Sequence, residues 1–108
     1  MHREIADRRE ALAELCRRFG VARLEVFGSA ARGEDFDPAH SDADFLVTFE
    51  RPGGAGGIDA SLDFQEALEA LLGRSVDLVE RRAIETSRNY IRRRAILAEA
   101  QPVYVQAP

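Results

Sequence analysis

SDADFLVTF, residues 41–49, decides the fold. Phe45, Val47 and Phe49 recur at every second position, the spacing that places side chains on one face of a β-strand. Asp42 and Asp44 open the strand two residues apart, so both carboxylates project from the same face at its start. Upstream lies VARLEVFGS, residues 21–29, where Val21, Leu24 and Val26 alternate with Arg23 and Glu25. This reads as a second short strand that stops at Gly28-Ser29. A helical turn, SAARG, and a loop rich in turn formers, EDFDPAHS, connect the two strands.

Further out the pattern becomes helical. Ile5, Leu12, Leu15, Cys16 and Phe19 define an N-terminal helix closed by Gly20. Downstream of the central strand, RPGGAGGID is a glycine-rich connector without the Gly-Lys-Ser/Thr ending of a phosphate loop. Leu62, Leu68, Leu71 and Leu72 then make a helix ending at Gly73, followed by a third strand, SVDLVE. The last helix is expected from Thr86 to Ala100, with Ile91, Ala95 and Ala98 inward and Arg88, Arg92 and Arg93 outward. Pro102 ends it, and Val103-Tyr104-Val105 forms an edge strand. Helices alternating with strands around one sheet give an α/β or α+β sandwich.

The chain has 108 residues, one domain's worth, and 45% hydrophobic residues, as in an ordinary globular protein. All fifteen basic residues are arginine, yet the net charge is −4, so bulk electrostatics ask for neither nucleic acid nor an anionic membrane. A charged N-terminus, no membrane-length apolar run and a single cysteine lead us to expect a cytoplasmic protein. Cys16 sits on the apolar side of its helix and reads as a small buried hydrophobe. His40 reads as a solvated loop residue, Arg92, Arg93 and Arg94 as a solvated helix face, and Tyr90 and Tyr104 as packing residues.

The chemistry rests on carboxylates. Asp77 lies inside the third strand, between Val76 and Leu78, and joins Asp42 and Asp44 if that strand neighbours the central one. Three carboxylates crowded on one face repel each other unless a cation stands among them. Magnesium suits a few carboxylates completed by water and phosphate oxygens, and two such ions can clamp an in-line displacement at phosphorus. Gly28-Ser29, at a strand end turning into a helix, offers backbone N–H groups and a hydroxyl to an anion, with Arg32 about one turn further on.

FGSAARGEDFDPAHSDADFLVTF resembles the signature of the polymerase-beta-type nucleotidyltransferases, and in particular of their smallest prokaryotic branch, the minimal nucleotidyltransferases or MNT proteins. LLGRSVDLVE resembles the third-carboxylate strand of that family, and NYIRRRAILAEAQPVYV its closing helix and strand. The resemblance covers about residues 20 to 105.

It implies a small mixed β-sheet flanked by helices in one domain, residues 1–108, with an N-terminal helix at about 3–19, a catalytic core at 20–80 and the closing helix and strand at 86–105. It implies ATP as substrate, with Gly28 and Ser29 at the nucleotide, where spacing adds Arg32, and Asp42, Asp44 and Asp77 as metal ligands and catalytic groups. Two departures stand out: twelve residues separate Ser29 from Asp42, about two more than the usual motif, and Ala30 stands where an arginine often follows. MNT proteins pair with an all-helical HEPN-domain RNase, so the resemblance implies an antitoxin that adenylylates a toxin tyrosine within a homo- or hetero-oligomer. An antitoxin acting by binding alone, or transfer to a small molecule such as an aminoglycoside, are the alternatives. Direct nucleic-acid binding is not expected.

Overall fold

The computed structural model describes residues 3–28, 31, 42–50 and 58–107. Among them, four strands form one mixed sheet: β1 (Val21–Phe27), β2 (Ala43–Phe49), β3 (Val76–Glu80) and β4 (Gln101–Val105), in the order β3-β2-β1-β4. β1 pairs antiparallel with both β2 and β4, whereas β2 and β3 run parallel. The parallel pair is connected through α3 (Ile58–Leu72), as a parallel pair requires a crossover. Pro102 is tolerated because β4 is an edge strand.

The N-terminal helix is two helices, α1 (Arg3–Ala6) and α2 (Arg9–Arg18), broken at Asp7 and Arg8. Together with α3 they cover one face of the sheet. Ile5, Leu12 and Cys16 meet Leu24, Val26, Phe45, Val47, Phe64 and Leu68 there in a core sealed from solvent. Phe64 is its keystone, tilted against Phe19 with ring centroids 5.5 Å apart and edge-on to Phe49 at 6.3 Å. The leucine pattern is therefore corrected at one position: Leu62 is 53% exposed, and Phe64, two residues on, fills the core instead. Burial pushes the Cys16 thiol up to about 12, which keeps it protonated and inert, as a small hydrophobe should be.

The opposite face is covered by α4 (Arg81–Glu85) and α5 (Tyr90–Glu99), which pack Ile84, Ile96, Leu97 and Ala100 on Phe27, Leu46 and Val79. The helix expected from Thr86 to Ala100 is thus corrected to Tyr90–Glu99, and a separate short helix, Arg81–Glu85, precedes its expected start. Thr86 caps α4, and the Asn89 side chain starts α5 by accepting from the Arg92 N–H at 3.2 Å. The inward face of α5 is also corrected: Ile96 and Leu97 point in, while Ile91 is 72% exposed and Ala95 and Ala98 face solvent. Arg93 is half-buried, donating to the Ser87 carbonyl at 3.1 Å, and Tyr90 is exposed rather than packed.

Glu25, read as the polar side of β1, is buried. Both its carboxylate oxygens accept from Arg81 Nη1, at 2.5 and 2.6 Å, and Arg23 Nε stands 3.3 Å away. The hydrogen bond to Glu25 holds the Arg81 guanidinium above its ordinary range. A carboxylate on that face is tolerable because two cations share it; alone it would carry a large desolvation cost.

Candidate functional site

The sheet places the candidate carboxylates by register. Asp44 is the cross-strand partner of Phe27 on one side and of Asp77 on the other, so Asp44 and Asp77 project side by side from the same face of neighbouring parallel strands. Asp42 stands two residues before Asp44, just ahead of β2, and is exposed, as is Asp77; Asp44 is half-buried. All three lie at the end of the sheet where β1 finishes and β2 and β3 begin, clear of the helical cover that closes the rest of that face.

Gly28 supplies the floor. It follows the last residue of β1 with φ 69°, a left-handed conformation that favours glycine. A Cβ there would stand 2.7 Å from Asp44 Oδ2, closer than any side chain permits. The glycine is needed twice, for its backbone and for the room it leaves beside the carboxylate. The chain then turns, with the Ala31 N–H donating to the Gly28 carbonyl at 3.1 Å and the Ala31 carbonyl accepting from Gln101 Nε2 at 3.3 Å. Ser29, Ala30, Arg32 and His40 and residues 51–57 of the glycine-rich connector lie outside the described residues, while its last two residues, Ile58 and Asp59, begin α3.

A device the sequence did not disclose holds Asp77. β3 is an edge strand, so the N–H and C=O of Val76 facing away from β2 have no strand to meet. Two side chains of α3 take them: Gln65 Nε2 donates to the Val76 carbonyl at 2.9 Å, and Glu69 Oε2 accepts from the Val76 N–H at 3.0 Å. The Ser75 carbonyl accepts from the Ala43 N–H at 3.1 Å, tying the two strand starts together. The only trace of this in the sequence is a polar pair at i and i+4 on an otherwise apolar helix face.

The donor set fits magnesium. Among the described residues no three metal-ligating side chains, Asp42, Asp44 and Asp77 included, are drawn together closely enough to hold an ion by themselves. Magnesium does not need such a set; it takes one or two carboxylates and completes its shell with water and substrate phosphates. Asp42, exposed just ahead of β2, and Asp44, whose carboxylate lies against Gly28, stand two residues apart at the start of the strand and offer such an open half-site.

The sequence profile of the nucleotidyltransferase domain matches residues 8–98. The chain belongs to the nucleotidyltransferase domain family. Protein adenylyltransferase MntA of Thermococcus cleftensis is 42% identical over 73 residues, 68% of this chain and 69% of that protein. A solved structure described as a minimal nucleotidyltransferase superposes with a TM-score of 0.68 at 40% identity, covering 91% of both chains. A complex of a tri-AMPylated HEPN toxin with MNT antitoxin from Shewanella oneidensis shares the fold, with a TM-score of 0.61 at 14% identity over 94% of this chain and 73% of that one. The mixed sheet flanked by helices is thus the nucleotidyltransferase fold, in its minimal form. No helix of this nucleotidyltransferase, among the described residues, is long and apolar enough to cross a membrane.

Proposed function

We propose that this nucleotidyltransferase moves AMP from ATP onto a hydroxyl of a partner protein, a tyrosine of a HEPN-family RNase toxin, and so acts as its antitoxin. The observation that supports the reading most is the register Asp44↔Asp77 beside Gly28: two carboxylates side by side on neighbouring strands, one of them against the glycine that ends β1. The identity to a protein adenylyltransferase supports AMP as the group moved and a protein as its acceptor. The fold shared with an antitoxin bound to a tri-AMPylated HEPN toxin supports the partner class.

In this reading the triphosphate lies along Gly28 and Ser29, with Arg32 reaching the same phosphates. Asp42 and Asp44, with Asp77 as a further ligand, would hold magnesium, which would supply charge neutralisation at the phosphates. Asp77 orients the acceptor hydroxyl and takes its proton as the oxygen attacks the α-phosphorus. The new bond is acceptor O–P; the bond broken joins the α-phosphorus to the bridging oxygen, and pyrophosphate leaves. Ser29 and the backbone N–H groups of the turn hold the charge of the leaving group. Positioning and electrostatics do most of the work, as in phosphoryl transfer generally.

Intact mass spectrometry of a HEPN toxin incubated with this chain, ATP and magnesium tests the reading. A gain of one or more AMP units, mapped to tyrosine and absent with Asp42→Asn/Asp44→Asn, is expected. A stable complex without any mass gain would overturn transfer and leave an antitoxin that acts by binding.

A further inference from the structure

The outer face of α5 has no partner within the chain. Ile91, Ala95 and Ala98 lie at i, i+4 and i+7 and form a straight apolar stripe, and all three face solvent. The helix buries a different stripe, Ile96, Leu97 and Ala100, beneath it. A helix with apolar residues on both sides is suited to burial between two bodies, and only one is supplied here. Tyr90 adds a ring that is 54% exposed at the start of the stripe, and the two alanines would let a partner backbone approach closely.

Charge defines the occupant. Arg82, Arg88, Arg92 and Arg94 are exposed and have no ion-pair partner among the described residues. Residues 81–99 hold six arginines and two glutamates, a surplus of four positive charges in a chain whose net charge is −4. The basic character is therefore concentrated on this segment and opposed by the rest of the molecule. A nucleic acid would find the arginines but would leave Ile91, Ala95 and Ala98 without apolar cover. A second copy across a two-fold axis would set these arginines against themselves. An acidic protein surface around an apolar ridge satisfies both features at once.

Position connects the surface to the chemistry. The C-terminal end of α5 packs on Phe27, the residue before Gly28 and the cross-strand partner of Asp44. From Ile91 to Ala98 the stripe runs about 10 Å along the helix toward that end. We infer that the outer face of α5, centred on Ile91, Ala95 and Ala98 and rimmed by Arg88, Arg92 and Arg94, is the docking surface for an acidic face of the protein that receives the nucleotide. The inference rests on the protein-acceptor reading above and adds where that protein sits.

Three variants test it: Ile91→Asp, Ala95→Arg, and Arg88→Glu with Arg92→Glu. Affinity for a purified HEPN toxin is measured by titration calorimetry at low and high salt, beside a fluorescent ATP analogue with magnesium and a labelled single-stranded RNA. Each variant is expected to weaken toxin binding at least tenfold and to keep wild-type affinity for the ATP analogue. The charge reversal should also flatten the salt dependence. Wild-type toxin affinity in all three variants would overturn the docking surface while leaving the protein-acceptor reading intact. Absence of toxin binding by the wild type would overturn both. RNA binding, or a dimer dissolved by Ile91→Asp, would reassign the face to that occupant and overturn the inference.

Discussion

The two faces of the sheet are made from the same strands and do different work. Along β2, Phe45, Val47 and Phe49 enter the core under α2 and α3, while Asp44 and Leu46 point to the other side. The first face is apolar from end to end and sealed. The second is divided along its length: apolar under α4 and α5, ionic where Glu25 meets Arg81 and Arg23, and acidic and open at Asp44 and Asp77. A domain this small has one sheet with which to be both stable and reactive, and strand alternation keeps the two demands apart by a single residue.

That division can be broken from the stable side. Phe64→Ala removes a fully buried ring that touches both Phe19 and Phe49, and should cost about 3–5 kcal/mol in a denaturant titration. Protein that remains folded should keep its affinity for nucleotide, because Phe64 lies on the far side of the sheet. Loss of affinity at equal folded fraction would show that the faces are coupled.

The clamp between them offers a sharper probe. Gln65 and Glu69 reach from α3 on the stable side to Val76, next to Asp77 on the reactive side. Gln65→Ala with Glu69→Ala should lower kcat about tenfold with little change in KM for ATP, since Asp77 is mispositioned rather than removed. The stability cost should be about 1–3 kcal/mol, from two backbone groups losing their partners. Glu69→Gln alone should keep kcat near wild type, because its amide oxygen can still accept from the Val76 N–H. A KM effect alone would place the clamp at the nucleotide instead.

The smallest effect is expected at Cys16. Its thiol stays protonated in the fold up to about 12 but loses its proton in the unfolded chain near the ordinary value of 9.0. The unfolded state therefore binds fewer protons in that window, and stability should fall as pH rises from about 9 toward about 12. Cys16→Ala should flatten that fall, which a comparison of melting curves across the window would check.

How much of this was legible in the sequence follows from what alternation can and cannot say. The two central strands and the position of Gly28 could be read because period-two patterns and a glycine at a strand end are local signals. The adjacency of Asp44 and Asp77 could be stated only as a condition, since parallel register depends on a crossover through α3. Alternation placed Glu25 correctly on the face opposite Leu24 but could not say that α4 and α5 cover it. In α5 the pattern failed for a definite reason: Ile91, Ala95 and Ala98 make a more regular stripe than Ile96, Leu97 and Ala100, yet the less regular one meets the sheet. The break at Thr86–Asn89 did carry a local signal, the Asn89 N-cap that accepts from the Arg92 N–H, whereas the grip of Gln65 and Glu69 on Val76 rests on tertiary contact.

Asp44→Asn and Asp77→Asn, each assayed for both transfer and thermal stability, test the central claim most directly. If the open end of the second face is the reactive one, each substitution should lower transfer at least a thousandfold while Tm changes far less, since neither side chain is part of the apolar core. Transfer retained within tenfold, or lost only in proportion to a fall in Tm, would contradict it.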